Sequence, residues 1–533
     1  MKKVLSIGGF YHDLNASIYA DGEVYLFEEE RFSRIKHHPL MGARETTLHC
    51  VERCLQAVGC GLSEIEAVVL SDAVDTAAKS YIRRKFSALP IFDVPHHLCH
   101  AAAGYYTQPE REAKILVLDA FGDDKSGGLY QGSGNKIEPV EEFSLDNSIG
   151  ILFLQSTYHL GLGKFGSEGK TQGLASYGQP VYFDRMMEQI RLDGGRLEIG
   201  RDLFGDYDFQ HGELYASQAL FYNSCFENLF TRRLKEDPIR QEHMDFARSI
   251  QDLLNEVSVG LLGSVSHSMT GEKIVFAGGC AQNSTTNDFI TEKLGNCYVP
   301  PSASDRGNSL GALLYFLNHM QNGDVRIAHP VFSPVRYSLY EAARHRPGLK
   351  VQTITPEERT EIFCEKIENG DIVVRCLQGS ELGARALGNR SICANPRIDG
   401  MRDFINAKVK HREWFRPFAP SIIADSHAEM FERADDTFYM TKTVPVKARE
   451  KITEAVHVDG TARVQIVTAA SNADFYTDLK ALAAGDGVGC VINTSFNDNG
   501  EPIVETPRDA LDSFAKMEVR YMLGDDCLVE KQA

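Results

Sequence analysis

Four side chains in this sequence have the types and spacing to hold a divalent cation. His96 and His100 sit four apart in DVPHHLCHAAAGYY, after a proline that can open a helix. Residues i and i+4 lie on one helical face, so both imidazoles can reach one ion. Asp119 ends the apolar run KILVLD, and Asp305 lies in SASDRGNSLGA. Two histidines with one or two carboxylates leave coordination positions open, which suits Fe(II), Mn(II) or Zn(II) acting as a Lewis acid. A helical His pair alone is more often a surface or core feature; the acids at strand and loop ends favour the metal. His97 points about 100° away round the helix and falls outside the set.

The second chemistry is anion binding. From Gly383 to Arg416 eight cations (Arg385, Arg390, Arg397, Arg402, Lys408, Lys410, Arg412, Arg416) stand against three acids (Asp399, Asp403, Glu413), so eight minus three reverses locally a chain charge of −18. A solvated basic face would give the same count. Here the charges sit among glycines and prolines beside the apolar FRPFAPSI, as in a walled pocket. Arginine forks bind phosphate or carboxylate bidentately, and lysine adds a point charge. Asn493, Thr494 and Ser495 in INTSFNDNGEP supply neutral donors at a strand end. A polyphosphate and a small carboxylate-like anion held side by side would use such a set. Two glycine loops add to it. In FAGGCAQN, Gly278, Gly279 and Asn283 follow a strand and can bring backbone N–H groups close to a phosphate or base. In FGSEGKTQGLASYG, Lys170 is flanked by Gly169 and Gly173; a loop that closes on a ligand and a plain flexible loop are equally compatible with it.

The elements that must position these residues repeat. VLSIGGFYHDLNASIYADGEVYLFEEE and ILVLDAFGDDKSGGLYQGSGNKIEPVEEF share one plan of strand, loop, strand, glycine turn and strand, with Asp21-Gly22 and Gly134-Asn135 as the turns. The plan predicts a duplicated α/β fold whose first loops face a common cleft. KIVFA reads as a buried strand, and SASDRGNSLGALLYFL as a loop followed by a helix. The proline-rich segment between Pro330 and Pro347 marks a boundary, giving domains 1–345 and 346–533. Beyond it, strands DIVVRCL, APSIIAD and GVGCVIN precede a last helix capped by Thr506 and opened by Pro507.

Composition narrows the function classes. The excess of 74 acidic over 56 basic residues argues against a broad nucleic-acid or anionic-membrane surface. No apolar run of about 18 residues occurs, and MKKVLSIGGFYHD breaks too early for a signal peptide. Twelve cysteines without a C-x-x-C pair fit reduced thiols and a cytoplasmic location.

HHLCHAAAGYY, GKTQGLASYG, GSELGARALGNRSICANPR, NAKVKHREWFRPFAPSI, HVDGTARVQ and INTSFNDNGEPIVETPRDA occur in an order that resembles the NodU/CmcH family of O-carbamoyltransferases, from about residue 3 to 528. Ser380 and Ala384 depart from the family's Arg and Pro, and Gln172 from its Met. The resemblance implies an actin-like (ASKHA) duplicated N-terminal domain and an α+β YrdC-like C-terminal domain. It implies that carbamoyl phosphate and ATP, with Mg(II), yield carbamoyl-adenylate, and that the carbamoyl group then passes to a hydroxyl of a small molecule (antibiotic, sugar or nucleoside type). Matching positions put Arg385, Lys410, Arg416, Arg463 and Asn493 around the anions, with Arg390, Lys408 and Arg412 in the same basic run. They put the metal on His96, His100, Asp119 and Asp305, and make His12 the general base, unless it is a loop histidine that only binds phosphate. Carbamoyl transfer to a protein, to tRNA or to a hydroxymethylated pyrimidine, and a non-catalytic nucleotide-binding protein, are the alternatives; the acidic charge disfavours tRNA, and the arginine blocks disfavour a non-catalytic role.

Overall fold

The computed structural model describes residues 2–40, 47–72, 77–205, 220–265, 269–434 and 436–532. They form two compact units, one of Met1–Glu29 with His37–His329 and one of Glu30–Lys36 with Pro330–Ala533. Residues 330–345, placed by the sequence in the first domain, cluster with the second. There Ser333 N–H donates to Ser380 C=O and Leu382 N–H to Val331 C=O, so this stretch is held by the arginine-rich loop.

The first unit contains two five-stranded sheets. One is built from β1 (Lys3–Gly8), β2 (Asn15–Ala20), β3 (Glu23–Glu28), β4 (Ala67–Ser71) and β5 (Ile91–Val94), in the order β3-β2-β1-β4-β5. The other uses β6 (Glu112–Gly122), β7 (Lys125–Ser133), β8 (Lys136–Ser144), β11 (Lys273–Ala277) and β12 (Cys297–Tyr298), in the order β12-β11-β6-β7-β8. In each the first strand is central. On one side of it the next two strands follow as an antiparallel meander, and on the other lie two strands paired in parallel. This is the internal repeat expected from the two hairpin segments. A small hairpin, β9 (Ile190–Asp193) with β10 (Arg196–Ile199), stands apart.

Two helices lie between the sheets, His96–Tyr105 and Asn308–Tyr315. Ala101, Ala102 and Tyr105 with Leu310 and Leu314 pack on Ile115, Val117 and Val275 of one sheet. Cys99 with Ala312 and Leu313 packs on Val4, Ala67 and Val69 of the other. The helices approach so closely that a Cβ at Gly311 would lie 1.8 Å from Cys99 O, which requires glycine there. The alanine-rich sequence of the first helix serves this contact, leaving its histidines at the end nearest the strand termini.

The second unit is one mixed sheet of eight strands: β13 (Leu349–Thr353), β14 (Val373–Cys376), β15 (Arg390–Ala394), β16 (Ala419–Ile423), β19 (Gln465–Val467), β20 (Cys490–Ser495), β21 (Tyr521–Leu523) and β22 (Cys527–Lys531), ordered β13-β22-β21-β14-β15-β20-β16-β19. A two-stranded pair, β17 (Val444–Pro445) and β18 (Thr461–Ala462), accompanies it. The central strands are buried, and two apolar clusters pack on the sheet. One centres on Ile422, Ile466, Phe475 and Val491, the other on Val374, Ile392, Ile405 and Phe514. The last helix, Pro507–Lys516, has the reciprocal cap expected from Thr506, with Asp509 answering it. No helix among the described residues is long and apolar enough to cross a membrane.

Candidate functional site

Pro95 has the extended ψ of 141° that a helix entry needs, and the helical face after it brings the Nε2 atoms of His96 and His100 to 3.0 Å. Asp119, well along β6, sets Oδ2 3.0 Å from His100 Nε2 and 3.6 Å from His96 Nε2. Asp305, in the turn before Asn308, sets Oδ1 at 3.2 and 3.4 Å from the same atoms. All four side chains are buried, and their ligand atoms lie within 4.8 Å of one another. Nitrogen and oxygen donors bound at usual lengths to one ion stand about 3–3.6 Å apart, the spacing seen here. Asp119 Oδ2 is buried without a hydrogen-bond partner, which is costly unless something positive meets it. The residues therefore fit a divalent cation.

The local charges agree. Burial opposes charge on His96, but Asp305 and Asp72 outweigh it and hold the imidazole well above its usual range. Burial likewise opposes His100, and Asp119 and Asp305 raise it. Both carboxylates titrate well below the ordinary range despite burial, Asp119 through His100 and His96, Asp305 through His12 and His96. His97 behaves oppositely: burial and then His96 push it down to about 3, so it stays neutral. Asp72 orients the cluster from behind, with Oδ1 2.5 Å from His96 Nδ1. It follows the apolar strand β4, so a search for acids after apolar runs, of the kind that picked out Asp119, would have found it.

His12 joins this cluster through a shared carboxylate. Its Nε2 is 3.4 Å from Asp305 Oδ2, and its Nδ1 is 3.0 Å from Asp13 Oδ2. Asp13 also holds His37 Nδ1 at 2.9 Å and Arg306 Nη2 at 3.1 Å, and Arg306 Nη1 donates to Glu28. Asn15 fixes the two loops together: its Nδ2 donates to the backbone oxygens of Asp13 and Asp305, and its Oδ1 accepts from Ser309 N–H. The neutral base expected from the sequence is altered by these neighbours. Burial lowers His12, but Asp305 and Asp13 push it up to about 9, so the imidazole holds its proton at neutral pH. A cation sharing Asp305 would draw on the same carboxylate and free the imidazole to accept a proton.

The glycine loop at β11 is placed against the cluster. A Cβ on Gly279 would lie 2.7 Å from Asp119 Oδ1, and one on Gly278 would meet Leu118 O at 2.3 Å. Asn283, expected at a nucleotide, instead caps the helix Ser284–Leu294: its Oδ1 accepts from Thr285 and Thr286 N–H, and its Nδ2 donates to Gln251. Lys170 lies in the short helix Glu168–Ala175. Gln172, two residues on, sets its amide 2.9 and 3.1 Å from the hydroxyls of Ser284 and Thr285, joining the two helices.

In the second unit Arg385, Arg412, Arg416 and Arg463 come together. Burial depresses the Arg463 guanidinium well below its usual range, and Arg385, Arg416 and Arg412 depress it further. Arg412 is depressed by burial and by Arg416. The acid that faces them is Glu413, whose Oε2 is 3.8 Å from Arg416 Nη1. The loop carrying Arg385 is shaped from within by Glu381, a residue the sequence reading passed over. This buried carboxylate accepts from the N–H groups of Leu387, Asn389 and Arg390 at 2.7–3.0 Å.

Other residues of the basic run have different partners. Arg390 is buried and spends its guanidinium on the backbone oxygens of Leu377, Asn389 and Glu505, which is an anchor for β15. Lys408 is a surface residue paired with Glu518 at 3.1 Å. Lys410 Nζ donates to Ser495 O, Asn497 O and Asn497 Oδ1 at 2.7 Å each, so it ties down the loop after β20. Burial, Arg412 and Lys36 hold that lysine well below the usual range. Ser495 thus serves Lys410, and Thr494 pairs with Ile392 in the sheet. Asn493 gives its Nδ2 to Ala386 O, Ser421 Oγ and Gln465 Oε1, while its buried Oδ1 has no partner. Ser380 donates to Glu505 below the arginine loop.

Comparison with known proteins assigns the chain. The family model described as carbamoyltransferase N-terminus matches residues 76–314, and carbamoyltransferase C-terminus matches residues 364–531. The chain belongs to the carbamoyltransferase family. It is similar to nodulation protein NolNO of Sinorhizobium fredii, 30% identical over 98% of this chain and 79% of that protein. It is also similar to 3'-hydroxymethylcephem-O-carbamoyltransferase of Amycolatopsis lactamdurans, 31% identical over 45% of each. Among solved structures, full-length HypF in its phosphate- and nucleotide-bound form aligns at 13% identity with a TM-score of 0.38, covering 61% of this chain and 47% of HypF. As a carbamoyltransferase, the protein is an enzyme that moves a carbamoyl group.

Proposed function

We propose that this carbamoyltransferase is an ATP-dependent O-carbamoyltransferase that makes carbamoyl-adenylate from carbamoyl phosphate and ATP with its second, YrdC-like unit, and transfers the carbamoyl group to a hydroxyl of a small molecule with its first, actin-like unit. The observation that carries the reading is the gathering of Arg385, Arg412, Arg416 and Arg463, whose mutual repulsion in a partly buried setting is relieved by a polyanion. Water first cleaves carbamoyl phosphate to carbamate and inorganic phosphate; around ATP and that carbamate the guanidiniums neutralise the crowded charge, so that a carbamate oxygen can attack the α-phosphorus and pyrophosphate can leave. Magnesium accompanies the triphosphate.

In the first unit His96, His100, Asp119 and Asp305 would hold Fe(II), Mn(II) or Zn(II), which when bound supplies Lewis acidity. Asp72 fixes the ring of His96, and Asp305 presents its second oxygen to His12. The acceptor hydroxyl attacks the carbamoyl carbon, its proton passes to His12, and AMP leaves. The hydroxymethyl acceptor in the name of the cephem relative supports an alcohol as the acceptor class. Pyrophosphate release tests the reading: it should require both carbamoyl phosphate and ATP, and its absence with both present would sink it.

A further inference from the structure

Phe165 stands on the reacting imidazole. Its ring centroid is 4.2 Å from that of His12, tilted by 47°, and 5.9 Å from that of His37, edge-on. The loop that presents it is one of the glycine segments whose purpose the sequence left open, and it is built to a shape. Gly161, Gly163 and Gly166 all take positive φ, at 63, 139 and 78°. A Cβ at Gly166 would lie 2.6 Å from His37 Nε2, so only glycine lets the loop press this close. Ser167 N–H closes the turn on Lys164 O at 3.0 Å, and Gly166 N–H donates to Glu168 Oε1 at 3.3 Å.

We infer that Phe165 is a covering residue for the carbamoyl-transfer site, whose aromatic face keeps water from the His12 side of bound carbamoyl-adenylate until an alcohol takes that place. The inference rests on the function proposed above. A mixed anhydride beside a proton acceptor is open to a wasteful step: the oxygen of water bonds to the carbamoyl carbon, and the bond from that carbon to the AMP oxygen breaks with its electron pair going to AMP. Of the two water protons one is released to solvent and the other is taken by the AMP phosphate, leaving carbamate and AMP. An apolar ring in contact with the imidazole face removes the volume that this water needs, and an alcohol with an apolar skeleton can displace or stack on the ring where water gains nothing. Both ring nitrogens of His12 face carboxylates, and Phe165 lies against the ring itself.

The test uses the full chain with ATP and carbamoyl phosphate and no alcohol. In Phe165→Ala the first-turnover burst of pyrophosphate should match the wild type, while steady AMP release rises about fivefold or more; Phe165→Tyr, which keeps the ring, should behave as wild type. An intact burst with unchanged AMP release in Phe165→Ala would overturn the inference. A wild-type enzyme with no burst would instead refute the adenylate chemistry.

Discussion

Asp305 is the residue on which the chemistry of the first unit turns, because its two oxygens face different partners. Oδ1 faces His96 and His100, and Oδ2 faces His12. A cation held there and His12 would thereby be coupled through one carboxylate, and changes behind the four side chains should be felt at that metal. Asp72→Asn removes the charge that orients His96; groups in that position typically account for 10–100-fold in metal affinity. The variant should lose its metal about that much more readily to a chelator, while pyrophosphate release is unchanged. Equal metal retention would show that His96 is oriented by packing alone. The i, i+4 spacing and two acids after apolar or loop segments made the four clustered side chains legible in the sequence. The sequence hid Asp13, His37 and Arg306, because their partners are as much as about three hundred residues away and no local pattern records such a distance.

At the scale of elements, the arginine loop is held in shape by one buried carboxylate. Glu381 satisfies three backbone donors inside that loop, doing for an irregular segment what neighbouring strands do in a sheet. Glu381→Ala leaves buried N–H groups unpaired, at about 1–3 kcal/mol each. Urea unfolding should show a loss of about 3 kcal/mol or more, and any folded variant should bind ATP weakly because Arg385 has lost its support; Glu381→Gln should recover part of both. Normal ATP affinity in a folded Glu381→Ala would refute this positioning role. Helix starts were legible: Pro95 before His96 and Thr506 before Pro507 fall where the sequence places them. The functions of individual polar residues were less so. Asn283 caps a helix and Lys410 pins a loop, because backbone groups at helix ends and turns compete for the same side chains that a ligand would use.

For the whole molecule, two consequences follow. Arg416→Ala should abolish pyrophosphate release yet spare transfer from supplied carbamoyl-adenylate, and His96→Ala should do the reverse; equal loss of both steps in either variant would contradict a division of labour between units. The second concerns acid. Burial alone would raise Asp13, but Arg306, His12 and His37 hold it well below 3.8. A depressed carboxylate contributes stability that is complete above its unfolded pKa and disappears as pH falls through the folded value. Unfolding midpoints in urea should therefore decline on acidification below about pH 4, and Asp13→Asn should be less stable at neutral pH but flatter across that range. A parallel decline in the variant would assign the acid sensitivity to other carboxylates.

The amino-acid sequence by itself determined the repeat of hairpins, the placing of histidines on one helical face, the concentration of cations in an acidic chain and the family. These are local or compositional properties, written in periodicity, turn residues and contiguous motifs. Only the tertiary structure decided which cations converge on one another and which are spent on carbonyls or surface acids. It also decided that Asp305 links His96 and His100 to His12 and that Phe165 packs against that imidazole. Those outcomes depend on where segments far apart in the chain are brought by strand order and helix packing, and a side chain's partners are chosen there by distance and desolvation rather than by its neighbours in sequence.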